Sequence, residues 1–154
     1  MSDFKEWIPH KTKDYPESYE DSVWNKDPDK EKYIIKETDN VTMMHDKFPA
    51  CEGHLLFIPK FNQPRYVAEA MAEAYQHGSD ERDAGRIDGF NIGMNIDECA
   101  GQSVFWPHIH FIPRKKGDQD TEHKGIRSCY PKDAYKPKPK EEDYHVMQAR
   151  LKKK

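Results

Sequence analysis

Three features of the 154-residue sequence predict an α+β domain, an antiparallel sheet carrying one main helix. Runs of β-branched and aromatic residues recur at Tyr33–Glu37, Val41–Met44, Leu55–Ile58, Phe90–Asn95 and Ser103–Ile112, and such side chains fit a pleated, half-buried surface. One amphipathic stripe, Val67, Ala70, Met71, Ala74 and Tyr75, recurs at helical spacing and predicts a single long helix. The apolar runs lie between residues 33 and 113, whereas the whole chain is only 35% hydrophobic and 34% charged with a mean hydropathy of -1.10. That imbalance places a compact middle between extended, polar N- and C-terminal arms.

Residues 1–32 mix acidic, basic and proline residues without helical or strand periodicity, which predicts an extended N-terminal arm. Phe4, Trp7, Ile8, Tyr15, Tyr19 and Trp24 are too many large apolar groups for a solvated tail, so parts of the arm should lie against the domain or a second subunit. Tyr33–Glu37 and Val41–Met44, joined at Asp39–Asn40, read as a β-hairpin. Leu55–Ile58 is continuously apolar, the mark of a strand buried on both faces. Pro64 suits the first turn of the main helix, and Gly78–Ser79 is where that helix is expected to break or end. The polar stretch from Ser79 to Arg86 reads as a further helical turn or a loop. Phe90–Asn95 alternates as a strand, and Ile96–Ala100 leads into the next one. Residues 119–154 form a polar tail, with one short helix expected over 141–154.

Composition also excludes function classes. A net charge of -3 gives no bulk attraction to nucleic acid or acidic membranes. Cys51, Cys99 and Cys129 lack Cys-x-x-Cys spacing, so neither a disulfide framework nor a zinc ribbon is indicated, and a reducing cytoplasm suits them. No signal pattern opens the chain, and no apolar run approaches the roughly 18 residues needed to cross a bilayer.

The chemistry concentrates in Gly101–Arg114, GQSVFWPHIHFIPR. Alternation along a strand puts Val104, Trp106, His108, His110 and Ile112 on one side and Phe105, Pro107, Ile109 and Phe111 on the other. Two neighbouring imidazoles then share a face, where one could attack phosphorus and the other bind the developing charge. A solvent-facing polar pair or half of a zinc site fits the same pattern. Read without further context, His54 is a strand-end histidine, Asp46 a turn residue, Asn95 a strand-end amide and Gln102–Ser103 a turn.

GQSVFWPHIHFIPRKKGD resembles the active-site strand of the histidine triad (HIT) family of nucleotide hydrolases and transferases. Pro49–Lys60, PACEGHLLFIPK, resembles the family's Gly-His strand, and Asp88–Asn95, DGFNIGMN, the strand before the active site. The resemblance spans roughly residues 33–118 and implies a HIT-like catalytic domain there, with a twofold homodimer. It makes His108 the nucleophile, His110 the last triad histidine and His54 their supporting neighbour. It also assigns Asp46 to the ribose hydroxyls, and Asn95, Gln102 and Ser103 to the phosphate and leaving group. Trp106 stands where the family has its first histidine. In relatives a main-chain carbonyl orients the nucleophilic ring, and a main-chain group survives that substitution. The implied activity is cleavage of a nucleotide conjugate, a dinucleoside polyphosphate or nucleoside phosphoramidate, through a nucleotidyl-histidine, without metal or cofactor. The alternatives are a nucleotidyltransferase, a catalytically impaired nucleotide-binding module, or a metal site built from His54, His108 and His110.

Overall fold

The structure, a computed structural model, describes residues 15–119 and 125–129 together with Ala149 and Lys152. The chain divides into two compact units, Met1–Asp118 and Gln119–Lys154. In the second, Gly125–Cys129 forms a 3-10 helix. The expected helix over 141–154 falls outside the described residues except at Ala149 and Lys152, and the large apolar residues Phe4, Trp7 and Ile8 fall outside them as well.

The first unit is a five-stranded sheet with one long helix, the predicted α+β architecture. Its strands are β1 (Ile34–Glu37), β2 (Val41–His45), β3 (Leu55–Pro59), β4 (Gly89–Gly93) and β5 (Ile109–Arg114), in the order β1-β2-β3-β5-β4 with every neighbouring pair antiparallel. The β1–β2 hairpin is closed by Thr38, whose N–H donates to the Val41 carbonyl at 2.9 Å while its Oγ1 accepts the Val41 N–H at 3.1 Å. Strand β3 is buried along its whole length, as its unbroken apolar run predicts.

Strand alternation sorts the apolar residues into two cores. Leu55 and Phe57 of β3 join Ile109 and Phe111 of β5, Val41, Ala70 and Ala74 on the helix side. Leu56 and Ile58 point the other way, into a cluster with Tyr19, Met44 and Trp106. The helix α2 (Pro64–Asp83) covers the first face, burying Ala70, Ala74 and Gly78 at four-residue spacing.

Gly78 and Ser79 do not end this helix; it runs on to Asp83. A glycine inside a helix ordinarily costs about 1 kcal/mol relative to alanine. Here it allows a close approach, because a Cβ built on Gly78 would stand 2.7 Å from the Phe90 ring. Tyr75, expected in the core stripe, is 61% exposed and meets Phe90 edge-on from outside.

The second face is covered by the N-terminal arm. Where an extended chain was expected, Tyr19–Asp21 and Lys30–Lys32 are 3-10 turns and α1 (Val23–Lys26) is a four-residue helix capped by the Ser22 hydroxyl, which accepts the Asn25 N–H. Of the three, Tyr19–Asp21 alone buries a residue, Tyr19, and turns this short leave no period to read. Tyr19 is buried, its hydroxyl 3.0 Å from Thr42 Oγ1, and its ring lies beside Trp106.

The last strand is shorter than the predicted Ser103–Ile112, because its ladder begins only at Ile109. Upstream the backbone groups are used elsewhere: the Val104 carbonyl accepts both the Trp106 N–H and the Gln102 side chain, and Pro107 has no N–H to offer a ladder. Among the described residues, no helix is long and apolar enough to cross a membrane.

Candidate active site

The site lies on the arm-covered face, where β5 brings His110 opposite Leu56 of β3. His54 immediately precedes β3 on the same side, and Asp46 follows β2 in the loop that returns to it. These three side chains meet. His54 Nε2 is 2.9 Å from His110 Nδ1 and 3.3 Å from Asp46 Oδ2, and His110 Nδ1 is 3.8 Å from the same oxygen.

Hydrogen bonding decides where the protons sit. The Ala50 N–H donates to His54 Nδ1 at 2.9 Å, so that nitrogen carries a lone pair and Nε2 carries the hydrogen. His54 Nε2–H therefore donates to His110 Nδ1, with Asp46 Oδ2 sharing the same proton at longer range. His110 Nδ1 is then an acceptor, and its hydrogen belongs on Nε2. The other Asp46 oxygen, Oδ1, accepts the Phe48 N–H at 2.8 Å.

His108 is set by a different partner. Its Nδ1 donates to the Trp106 carbonyl at 2.7 Å, which leaves Nε2 with a free lone pair. The ring is buried, 5.0 Å centre to centre from His110 and 4.9 Å, edge-on, from Trp24 of the arm. Burial lowers the His108 pKa below its ordinary value, only partly opposed by the Trp106 carbonyl and Asp46. Burial likewise leads for His110, and with His108 and His54 beside it the pKa falls to about 4. Both rings are therefore neutral at pH 7, one presenting a lone pair and the other an N–H.

Trp106 is itself buried, its indole N–H donating to the Pro59 carbonyl at 2.8 Å. The loop before it turns on two left-handed residues, Asp97 at φ 75° and Gly101 at φ 90°. Asn95 is half-buried at its entrance, a Cβ's reach from Gly101, and Ser103 is exposed at its exit. Gln102 is buried with both amide atoms engaged: Oε1 accepts the Asp97 N–H, and Nε2 donates to the Val104 carbonyl.

Asp46, His54 and His110 are also a group that could hold a metal ion. That set has Asp46 in the place of His108 in the alternative of His54, His108 and His110. A metal between them would need a lone pair on His54 Nε2, and the Ala50 N–H would then face an N–H on Nδ1. The hydrogen-bonded arrangement fits these residues better than a metal does.

Sequence reasoning brought the three histidines and Asp46 together, and left out three neighbours. Trp24 packs on His108, Tyr15 hydrogen-bonds Gln102 at 3.1 Å and 2.8 Å, and Ala50 fixes the His54 tautomer. The aromatic residues of the arm signalled that it covers something, but their spacing carries no address. Ala50 acts through its backbone, which no side-chain pattern reveals.

Among known proteins, the chain is 33% identical over 95 residues to an uncharacterized HIT-like protein of Saccharolobus solfataricus, covering 57% of this chain and 68% of that one. It is 36% identical over 91 residues to adenylylsulfatase HINT3 of Arabidopsis thaliana, covering 54% of this chain but only 46% of that protein. A zinc-bound histidine triad family protein of Mycobacterium smegmatis superimposes with a TM-score of 0.52 and 31% identity, covering 62% of this chain and 75% of that one. The model of the HIT domain matches residues 27–117, from just after α1 to just beyond the end of the sheet and more than half of the chain. The protein therefore belongs to the HIT domain family.

Proposed function

We propose that the protein cleaves a nucleotide conjugate at its α-phosphate through a nucleotidyl-histidine formed on His108. One observation carries this reading: His108 is buried and neutral, and its Nδ1 proton is committed to the Trp106 carbonyl, so a nucleophilic lone pair remains at Nε2. In the first step that lone pair forms a P–N bond as the bond from phosphorus to the leaving group breaks, and the leaving group departs with the bonding electrons, an amine taking up a proton from solvent. His110, a donor at Nε2 because His54 donates to its Nδ1, holds a non-bridging oxygen as charge builds. Water then attacks phosphorus, the P–N bond breaks with its electrons returning to Nε2, and nucleoside monophosphate leaves with the hydroxyl while the second proton of the water passes to solvent.

Asp46 serves the ribose in this reading, since a carboxylate has more acceptor sites than the Phe48 N–H and the imidazoles occupy. Asn95 and Ser103 serve the phosphate and leaving group from the two ends of the loop, whereas Gln102, expected at the phosphate, is buried with its amide engaged and holds that loop in shape. Trp106 takes the place of the family's first histidine; it supports chemistry through its carbonyl and stability through its ring.

The likeness to an adenylylsulfatase makes adenylyl conjugates the first substrates to try. Wild type and His108→Ala are incubated with adenosine 5′-phosphosulfate, adenosine 5′-phosphoramidate and diadenosine triphosphate, and release of AMP is followed. Wild-type release that falls on the order of a thousandfold or more in the variant supports the covalent route. Equal release by the two proteins refutes it.

A further inference from the structure

We propose that Tyr15, in the N-terminal arm, is a positioning residue that locks the loop between Asn95 and Trp106 into its reactive shape. The inference rests on the nucleotide-cleaving reading for its kinetic part only. Its structural part stands on the contacts alone.

The Tyr15 hydroxyl reaches 87 positions along the chain to Gln102, lying 3.1 Å from Oε1 and 2.8 Å from Nε2. A phenol has one proton and two lone pairs, so a single hydroxyl can donate to the amide oxygen and accept from the amide nitrogen together. Gln102 is only 4% exposed, and its remaining bonds run to Asp97 before it and Val104 after it. With Tyr15 in place, every valence of that buried amide is filled. Without it, two are left in a site that water does not readily enter.

The loop needs such a brace. Asp97 is the one non-glycine residue at positive φ among those described, a conformation that costs on the order of 1–3 kcal/mol and persists only where surrounding contacts over-determine it. Its N–H is bound by Gln102 Oε1 at 2.7 Å, the atom Tyr15 also bonds. Leaving the loop, the chain passes Ser103 and reaches the Trp106 carbonyl that orients His108. The Tyr15 ring, 6.0 Å from that of Phe105, reinforces the exit. Loosening the amide therefore loosens the two ends of a loop whose exit sets the nucleophile.

The test compares wild type, Tyr15→Phe and Tyr19→Phe. Tyr15→Phe keeps the ring on Phe105 and removes only the hydroxyl; Tyr19→Phe removes another arm hydroxyl, bonded to Thr42 and not to the loop. Hydrogen exchange at the Asp97 amide is read first. At least a tenfold acceleration in Tyr15→Phe and not in Tyr19→Phe is expected, and equal exchange in all three proteins overturns the proposal. On whichever adenylyl conjugate the wild type cleaves, Tyr15→Phe should lower kcat about 10- to 100-fold with KM within about twofold, the pattern of misplaced catalytic groups. Faster Asp97 exchange with unchanged kcat overturns the positioning role. If the wild type cleaves no conjugate, the nucleotide reading fails, and the brace is decided by the exchange result alone.

Discussion

Replacing His110 by asparagine should flatten the dependence of stability on pH between 6.5 and 4. In the folded protein burial first, then the neighbouring His108 and His54, lower the His110 pKa from 6.5 to about 4, against an opposing pull from Asp46. An unfolded chain has no such burial, so its imidazole titrates near 6.5. Between those values the unfolded state binds a proton that the folded state refuses, and stability must rise with pH. The contribution is fully present above pH 6.5, is lost progressively as the pH falls towards 4, and levels off below that. A gap of about 2.5 pH units at about 1.4 kcal/mol each gives roughly 3 kcal/mol, which solvent access to a quarter of the side chain trims to about 2 kcal/mol. His108 and His77, each lowered chiefly by burial, slope in the same direction and remain in the variant. Urea unfolding at pH 7.5, 5.5 and 4 for wild type and His110→Asn reads the His110 share as the difference between the two slopes. Should imidazole resonances show His110 titrating at 6.5 or above, or the variant lose as much stability on acidification as the wild type, the neutral-donor assignment is wrong.

Two further substitutions test the packing that holds the site. Gly78→Ala gains about 1 kcal/mol of helix propensity but drives a methyl against the Phe90 ring, which Phe111 and Tyr75 hold from other sides; a net loss of about 1–2 kcal/mol in urea unfolding is expected, and a gain would show that the ring moves freely. Trp106→Phe strands the buried Pro59 carbonyl and should cost about 1–3 kcal/mol, yet leave the His108 bond to the position-106 carbonyl and keep turnover within about tenfold of wild type; loss of all turnover in a folded variant would mean that the indole itself takes part.

How much of this was legible follows from period and length. Strand β3 announced itself through four consecutive apolar residues, and α2 through a stripe whose buried members, Ala70 and Ala74, sit where the spacing puts them. The helix end was misread because Gly78 looks like a stop in sequence, while its reason is the Phe90 ring twelve residues on and one layer away. Strand alternation placed His108 and His110 on one face, and the Gly-His motif supplied His54, so the histidines were visible. Their tautomers were not, since the Ala50 N–H and the Trp106 carbonyl are backbone groups present at nearly every position. The arm was invisible as structure for a further reason: with turns of three or four residues, it folds only because the sheet offers Tyr19 and Trp24 a surface.

On the proposed mechanism, that surface makes the arm part of the chemistry. The lowered pKa of His108 comes first from burial, and Trp24 is an arm side chain in ring contact with it. Removing the indole admits water to the imidazole, weakens the penalty on its charged form and raises its pKa toward the ordinary value. A nucleophile must be neutral, so the fraction of reactive His108 at any acidic pH falls as that pKa rises. Trp24→Ala should therefore move the acid limb of kcat/KM to higher pH, while the alkaline plateau shows any separate loss of nucleotide contact as a change in height. The profile is measured from pH 4 to 8.5 on the cleaved conjugate. A limb that stays in place in a folded variant would mean that the sheet alone desolvates His108, and that the arm contributes stability without tuning the nucleophile.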